Sequence, residues 1–250
     1  MAHSLVEFVP GTIYLVEYPI RFGGMDLYSR MTVVRLHDGK LWLHSPCKLD
    51  AKLKADIDRL GEVAYLVAPG NFHHLYVSDV QADYPKAETF LCPGLEKKRA
   101  DLKFDWILGN RPDPRWEPDF EQVLIQGTRI INEVAFLHKP TRTLILVDLL
   151  ENIGDDYTHD AGLLLKFWWK AVFHMWNHPK PAPEYQVAWG GKEIVRRALE
   201  KILSWDFERI ILAHGNLIEA DAKAVAARAW ANVLKTTPGT SNSTSPETQR

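Results

Sequence analysis

Short apolar runs broken by turn residues fill the first half of the chain, and they predict strands. TIYLVE (12–17) and MTVVRL (31–36) are rich in β-branched and aromatic residues. His37-Asp38-Gly39-Lys40 is a hairpin turn, because Asp-Gly supplies the positive φ a tight reversal needs, and it leads into LWLHSP. Leu49, Leu53, Ile57 and Leu60 then recur at helical spacing, forming one apolar stripe that ends at Gly61. VAYLVAP predicts a buried strand, Asp79 to Lys86 a short helix or turn, AETFLCP another strand, and GLEKKRADLKF a polar helix or loop.

The second half repeats the alternation with more helix. Residues 104–120 carry three prolines and predict an extended surface loop. FEQVLIQG predicts a strand. NEVAFLHKPTRTLILVDLL predicts a hairpin turning at His138-Lys139-Pro140-Thr141. Residues 160–177 and 192–204 predict helices, FERIILAHG a last strand, and the alanine-rich EADAKAVAARAWANVLK a terminal helix. The tail, 236–250, has too little apolar content to fold and is expected to be disordered. The order predicts an α/β protein with two sheets packed face to face and helices outside, as a single domain over 1–235.

Composition narrows the function classes. A net charge of −2 offers no footprint for nucleic acid or an anionic surface. No apolar run reaches the roughly 18 residues of a membrane span, and no leader peptide is evident at the N-terminus. Cys47 and Cys92 stand far apart, as free thiols in a reducing compartment would. These features predict a cytoplasmic protein acting on a small molecule.

Chemistry is expected where polar residues end apolar strands. LVAPGNFHH ends in His73 and His74, TLILVD in Asp148, RIILAH in His214 and, more weakly, LWLH in His44. Imidazole and carboxylate donors at separate strand tips suit a borderline divalent cation, zinc or iron. A hydrogen-bonded structural role for each is the alternative. The adjacent pair His73-His74 can face one cavity only from a turn, which Pro69-Gly70-Asn71 provides.

The order of these tips, over roughly residues 10–218, resembles the metallo-β-lactamase fold, and is most similar to its divergent DUF4336 branch. That fold carries a His-x-His-x-Asp-His loop, a histidine before a hairpin, a bridging aspartate and a last histidine. Here Pro69 and Asn71 stand at the first two histidine places, His73 at the aspartate, and His74 at the final histidine. Asp148 matches the bridging aspartate and His214 the last histidine. The middle histidine has no counterpart; Thr128, Arg129 and Glu133 lie in its stretch, and LHSPC replaces an early aspartate. The resemblance implies an αβ/βα four-layer sandwich of two mixed sheets. It also implies one remodelled metal site at His73, His74, Asp148 and His214 in place of a dinuclear one. Asp148 would serve as ligand or general base.

The stretch AGLLLKFWWKAVFHMW is apolar nearly all round. Helix 161–177 is therefore expected to be a lid, a homodimer contact or core. Trp168, Trp169, His159 and Asn71 are the expected substrate-binding residues. The expected function is a metal-dependent hydrolase of an ester, lactone or phosphoester. The alternatives are a catalytically inactive relative acting as a binding or scaffold protein, and a mononuclear iron oxidoreductase.

Overall fold

A computed structural model describes residues 3–126, 128, 130–157, 159, 162–188 and 192–235. The expected tail, 236–250, lies outside the described residues.

Seven strands form the first sheet in chain order: β1 (Leu5–Val9), β2 (Ile13–Phe22), β3 (Met25–Arg35), β4 (Leu41–His44), β5 (Val63–Ala68), β6 (Glu88–Leu91) and β7 (Trp106–Ile107). The first four pair antiparallel and the last three add in parallel. The parallel steps need crossovers. Helix α1 (Ala51–Asp58) and helix α2 (Val77–Asp83) supply two, and the third runs through the short α3 (Leu95–Lys98). Asp50 caps α1 by accepting the Leu53 amide, and Leu53 and Ile57 bury its apolar stripe.

The second sheet has four strands. β8 (Phe120–Ile125), β9 (Glu133–His138) and β10 (Thr143–Ile145) pair antiparallel in series, and β11 (Arg209–Ile211) adds beside β10 in parallel. The connection from β10 to β11 holds α4 (Leu163–Phe167), a π-helical turn (Trp168–Val172), α5 (Pro183–Ala188) and α6 (Lys192–Ser204). The chain ends in α7 (Ala222–Ala229) and α8 (Ala231–Leu234).

Three apolar layers hold these pieces together. Between the sheets, Leu15, Trp42 and Val67 meet Phe120, Phe136 and Ile211. Outside the first sheet, Leu53 and Ile57 of α1 pack on Val33, Leu43 and Leu66. Outside the second, Val195, Leu199 and Ile202 of α6 and Trp230 pack on Val123, Leu144 and Ile210. This is the expected αβ/βα sandwich. Among the described residues no helix is long and apolar enough to cross a membrane.

Four elements differ from expectation. β2 and β3 run past 12–17 and 31–36 to a turn at Gly23-Gly24, whose two positive φ angles fit a tight hairpin. Their projecting half alternates poorly and is held by tertiary contacts: Leu27, Ile20 and Met25 pack with Leu165 and Trp169. The 104–120 segment is not simply a surface loop; it carries β7 and buries Trp116 against Tyr65 and Phe90. The expected 160–177 helix stops at Val172, and the chain then reverses through His174 and Asn177 in the left-handed region. The terminal helix breaks at Trp230, whose indole N–H leaves the helix to bond the Leu149 carbonyl at 3.0 Å.

Candidate metal centre and its cavity

Three strand ends meet at one place. After β5, a turn clips onto the approach to β9. The Pro69 carbonyl accepts the Val134 amide at 2.7 Å, and Asn71 exchanges backbone and side-chain bonds with Asn132. This turn aims His73 inward, its amide bonded to the Gly70 carbonyl at 3.1 Å. After β10, the backbone carries Asp148. After β11 comes His214, followed by Gly215 at φ +92°, where a Cβ would lie 2.0 Å from the Asn152 carbonyl oxygen. Only glycine fits this close crossing.

His73 Nε2 lies 3.2 Å and His214 Nε2 3.6 Å from Asp148 Oδ1. A tetrahedral ion with bonds of about 2.1 Å sets its ligand atoms about 3.4 Å apart. The three donors therefore fit one cation, and their ligand atoms all lie within 4.8 Å of one another. All three side chains are buried.

Each donor has its own support. His214 Nδ1 donates to the Tyr28 carbonyl at 2.8 Å, which fixes its tautomer and leaves Nε2 as the lone pair. The Arg30 guanidinium bonds the Leu212 carbonyl and, at 3.0 Å, the Gly215 carbonyl, pinning the backbone on both sides of His214. His73 Nδ1 pairs with Ser45 Oγ at 2.8 Å, and a proton placed there leaves Nε2 free in the same way. Ser45 holds φ at 54°, a costly conformation for a side-chain-bearing residue, and this turn is what points its hydroxyl at His73.

Glu133 anchors Asp148. Its fully buried carboxylate accepts the amides of Val147, Asp148 and Leu149 at 2.8, 2.9 and 2.8 Å. Burial and then the Asp148 charge push Glu133 up to about 8, against the pull of those three amides. Burial also acts to raise Asp148, but the His73 imidazole and then His214 outweigh it and hold the carboxyl below its ordinary value. Burial, followed by His73, brings His214 down to about 4, so it is neutral and fit to ligate.

His74 does not join the cluster. It faces the same cavity, but its Nδ1 lies 3.0 Å from the Arg99 guanidinium. Burial, Lys98 and Arg99 bring it down to about 4. Successive residues diverge even on this turn, so the adjacent pair does not act as one chelating unit. His44 stacks on Trp42 between the sheets and is not one of the three clustered donors. His159 stacks on Tyr28 at 3.6 Å and bonds Glu17 at 2.8 Å, behind the cavity wall rather than on it. Asn71 spends its side chain on Ile130 and Asn132 and does not line the cavity. Cys47 and Cys92 are buried and free, and burial pushes the Cys47 thiol up to about 12.

The three donors sit on the wall of a cavity of about 590 Å³. The projecting β2–β3 hairpin and the π-helical turn close one side, and Phe22, Leu27, Phe72, Trp168, Trp169 and Phe173 make the walls mainly apolar. Both expected tryptophans thus reach the cavity, through a shorter element than anticipated. Glu151 and Glu184 are its other carboxylates. Ser45, Glu133 and Glu151 have one signal each in the sequence: a polar residue at or near the end of an apolar run. That signal does not say which partner the residue faces.

A family model described as Domain of unknown function (DUF4336) matches residues 10–163. No curated protein matches the chain in sequence. Among solved structures, DIM-1 metallo-β-lactamase exposed to ceftazidime superposes with a TM-score of 0.61 at 14% identity, over 93% of this chain and 98% of that one. FIM-1 metallo-β-lactamase from Pseudomonas aeruginosa, in its mono-zinc form, gives 0.60 at 9% identity over 94% and 98%. A metal-soaked Flv1 flavodiiron core from Synechocystis gives 0.61 at 13% identity, over 94% of this chain and 62% of that one. At these identities the likeness is one of fold.

Proposed function

Since the chain belongs to the DUF4336 family and has the metallo-β-lactamase fold, we propose that it is a metal-dependent hydrolase working with one divalent ion at His73, Asp148 and His214. The observation that carries this reading is the convergence of three supported donors at separations suited to one cation. The neighbouring folds are consistent with it: one is described in a mono-zinc form and another as a flavodiiron core.

A bound divalent ion supplies Lewis acidity, polarising a carbonyl or phosphoryl oxygen and acidifying water. The protein's own groups do the rest. Ser45 and the Tyr28 carbonyl turn both Nε2 atoms inward. Glu133 holds the Asp148 backbone so that one carboxylate oxygen faces both imidazoles, which supports reading Asp148 as a ligand rather than a free base. Burial raises the Glu184 carboxyl on the cavity wall, making it a group that can hold a proton for the leaving atom. Apolar walls around the donors favour an uncharged ester or lactone over a phosphoester.

The donor set itself supports a second reading. Two histidines and one carboxylate are the ligand set of mononuclear non-haem iron oxygenases. Elemental analysis of the purified protein with His73→Ala, His214→Ala and His74→Ala variants separates the possibilities. About one zinc per chain, lost in the first two variants and kept in the third, with turnover of esters or lactones, is the expected result. About one iron with oxygen consumption and no hydrolysis would move the assignment to the oxidoreductase. Absence of metal after reconstitution would overturn both.

A further inference from the structure

Besides the three clustered donors, the cavity wall carries His74 and Lys98. Three contacts tie the 71–74 turn to the end of α3. The Lys98 ammonium donates to the Asn71 carbonyl and lies 4.3 Å from the centre of the Phe72 ring. The Arg99 guanidinium donates to His74 Nδ1 at 3.0 Å, and Asp101 holds Arg99 in turn through bonds of 2.8 and 2.6 Å. A guanidinium has donors only, so Nδ1 is the acceptor and the ring proton sits on Nε2. A metal ligand at Nε2 needs the opposite tautomer, which sets His74 apart from the clustered donors. Arg99 is not on the cavity wall, so the side of the ring that lines the cavity is the one turned away from Nδ1. His74 is 7% exposed, and its Nε2 bonds no described residue. Unlike His44 Nε2 and His138 Nε2, it is not an enclosed unpaired atom, so a ligand can reach it.

Lys98 adds a charge with no counter-ion. Arg99 has Asp101, but among the described residues no carboxylate pairs with Lys98. Its ammonium has three N–H groups and spends one on Asn71. This part of the wall therefore offers donors and one unbalanced positive charge. We propose that His74 and Lys98 form an anion site, apart from the three clustered donors, for the carboxylate of a ligand with an apolar body. His74 Nε2–H donates to a carboxylate oxygen, and Lys98 balances its charge. The other acidic groups on the wall limit the anion to one charge. Asp148 turns its carboxylate to His73 and His214, and burial raises the carboxyls of Glu151 and Glu184, which oppose an anion less than ionised groups would. The body is apolar because Phe22, Leu27, Phe72, Trp168 and Phe173 are what it would touch. The carboxylate is a second group on the molecule, distinct from any ester or lactone cleaved at the three donors.

The site does not depend on the metal reading, and its test is binding, measured by calorimetry on the protein as purified and again after treatment with a chelator. The probes are octanoate, octanol, octylamine and octyl phosphate, which share one apolar chain. Wild type is expected to bind octanoate roughly ten-fold or more tighter than octanol, the size of one hydrogen bond to a charged group, and to keep that preference after chelation. Lys98→Gln, which removes the charge from an exposed side chain, and His74→Phe, which keeps a ring and removes the N–H, should each bring the two probes to within about three-fold. Lys98→Arg should keep most of the preference. Equal affinities in wild type, no binding of any probe, or a preference that survives both Lys98→Gln and His74→Phe would overturn the proposal. A preference that vanishes with the chelator would place the carboxylate on a bound ion and overturn it as well. Tighter binding of octylamine or octyl phosphate than of octanoate would overturn the assignment to a single carboxylate. Thermal melts identify any variant that has lost the fold; should His74→Phe be one, the comparison of Lys98→Gln with Lys98→Arg carries the test, and equal preference in those two would count against the site.

Discussion

The two ends of the cavity are built on opposite principles. At the histidine end every donor has a partner that orients it: Ser45 for His73, the Tyr28 carbonyl for His214, and Glu133 for the Asp148 backbone. At the Glu151 end, the buried carboxyl has only the Trp169 indole N–H near it, with no well-formed hydrogen bond between them. The first end is preorganised, since a hydrogen bond within the protein orients each donor. The second leaves a buried carboxyl oxygen without a well-formed bond, which lowers stability. One cavity thus combines a corner of oriented donors with a mainly apolar wall.

Removing an anchor from the rigid end should have the largest effect. Glu133→Ala leaves three buried amides without an acceptor, and the expected loss is about 3–5 kcal/mol of folding stability, read by urea denaturation. A loss below about 1 kcal/mol would mean that the Asp148 turn holds itself and that the contrast between the two ends is overstated.

Ser45→Ala should act more narrowly. It removes the partner of His73 Nδ1 while keeping the backbone, so metal affinity should fall roughly ten- to a hundred-fold with only about 1 kcal/mol lost from the fold. Competition with a calibrated chelator measures the first and denaturation the second. Equal affinity in variant and wild type would show that His73 is oriented by its turn alone.

The smallest effect, and one of opposite sign, is expected at the unsatisfied wall. Glu151→Leu replaces an unpaired carboxyl with apolar surface and should stabilise the ligand-free protein by about 1–2 kcal/mol. The gain depends on pH. Burial raises the folded Glu151 above its unfolded value, so the folded state binds the proton more tightly. Wild-type stability from this group is complete below the unfolded value and declines as pH rises toward the raised one. The advantage of Glu151→Leu should therefore widen from pH 4 to pH 8. A gap that narrows over that range would show that the carboxyl is ionised and satisfied in the folded protein.

The three clustered donors are partly legible in the chain because they stand at the ends of apolar runs. His73, Asp148 and His214 each follow a strand whose pattern is plain in the sequence. His74 has the same local signal as His73. Only the path of the turn, fixed by Pro69 and Asn71 bonding across to the second sheet, separates a donor from a neighbour of Arg99. The tryptophan-rich segment misled for a related reason. Its apolar residues suit a long buried helix, yet the chain unwinds after Val172, where Met175 and Trp176 amides turn back to the Trp169 carbonyl.

What the sequence alone determined is the set of strands and helices with strong periodicity, the two-sheet sandwich they imply, and the strand tips where chemistry could sit. Those follow from local patterns of burial that a chain must satisfy residue by residue. Only the tertiary structure decided that Ser45 supports His73, that Glu133 holds Asp148, and that Glu151 and Trp169 are left unpaired on one wall. Each of these joins residues far apart in the chain through one hydrogen bond made or missing. That depends on how two sheets and a hairpin pack, and no short-range pattern encodes it.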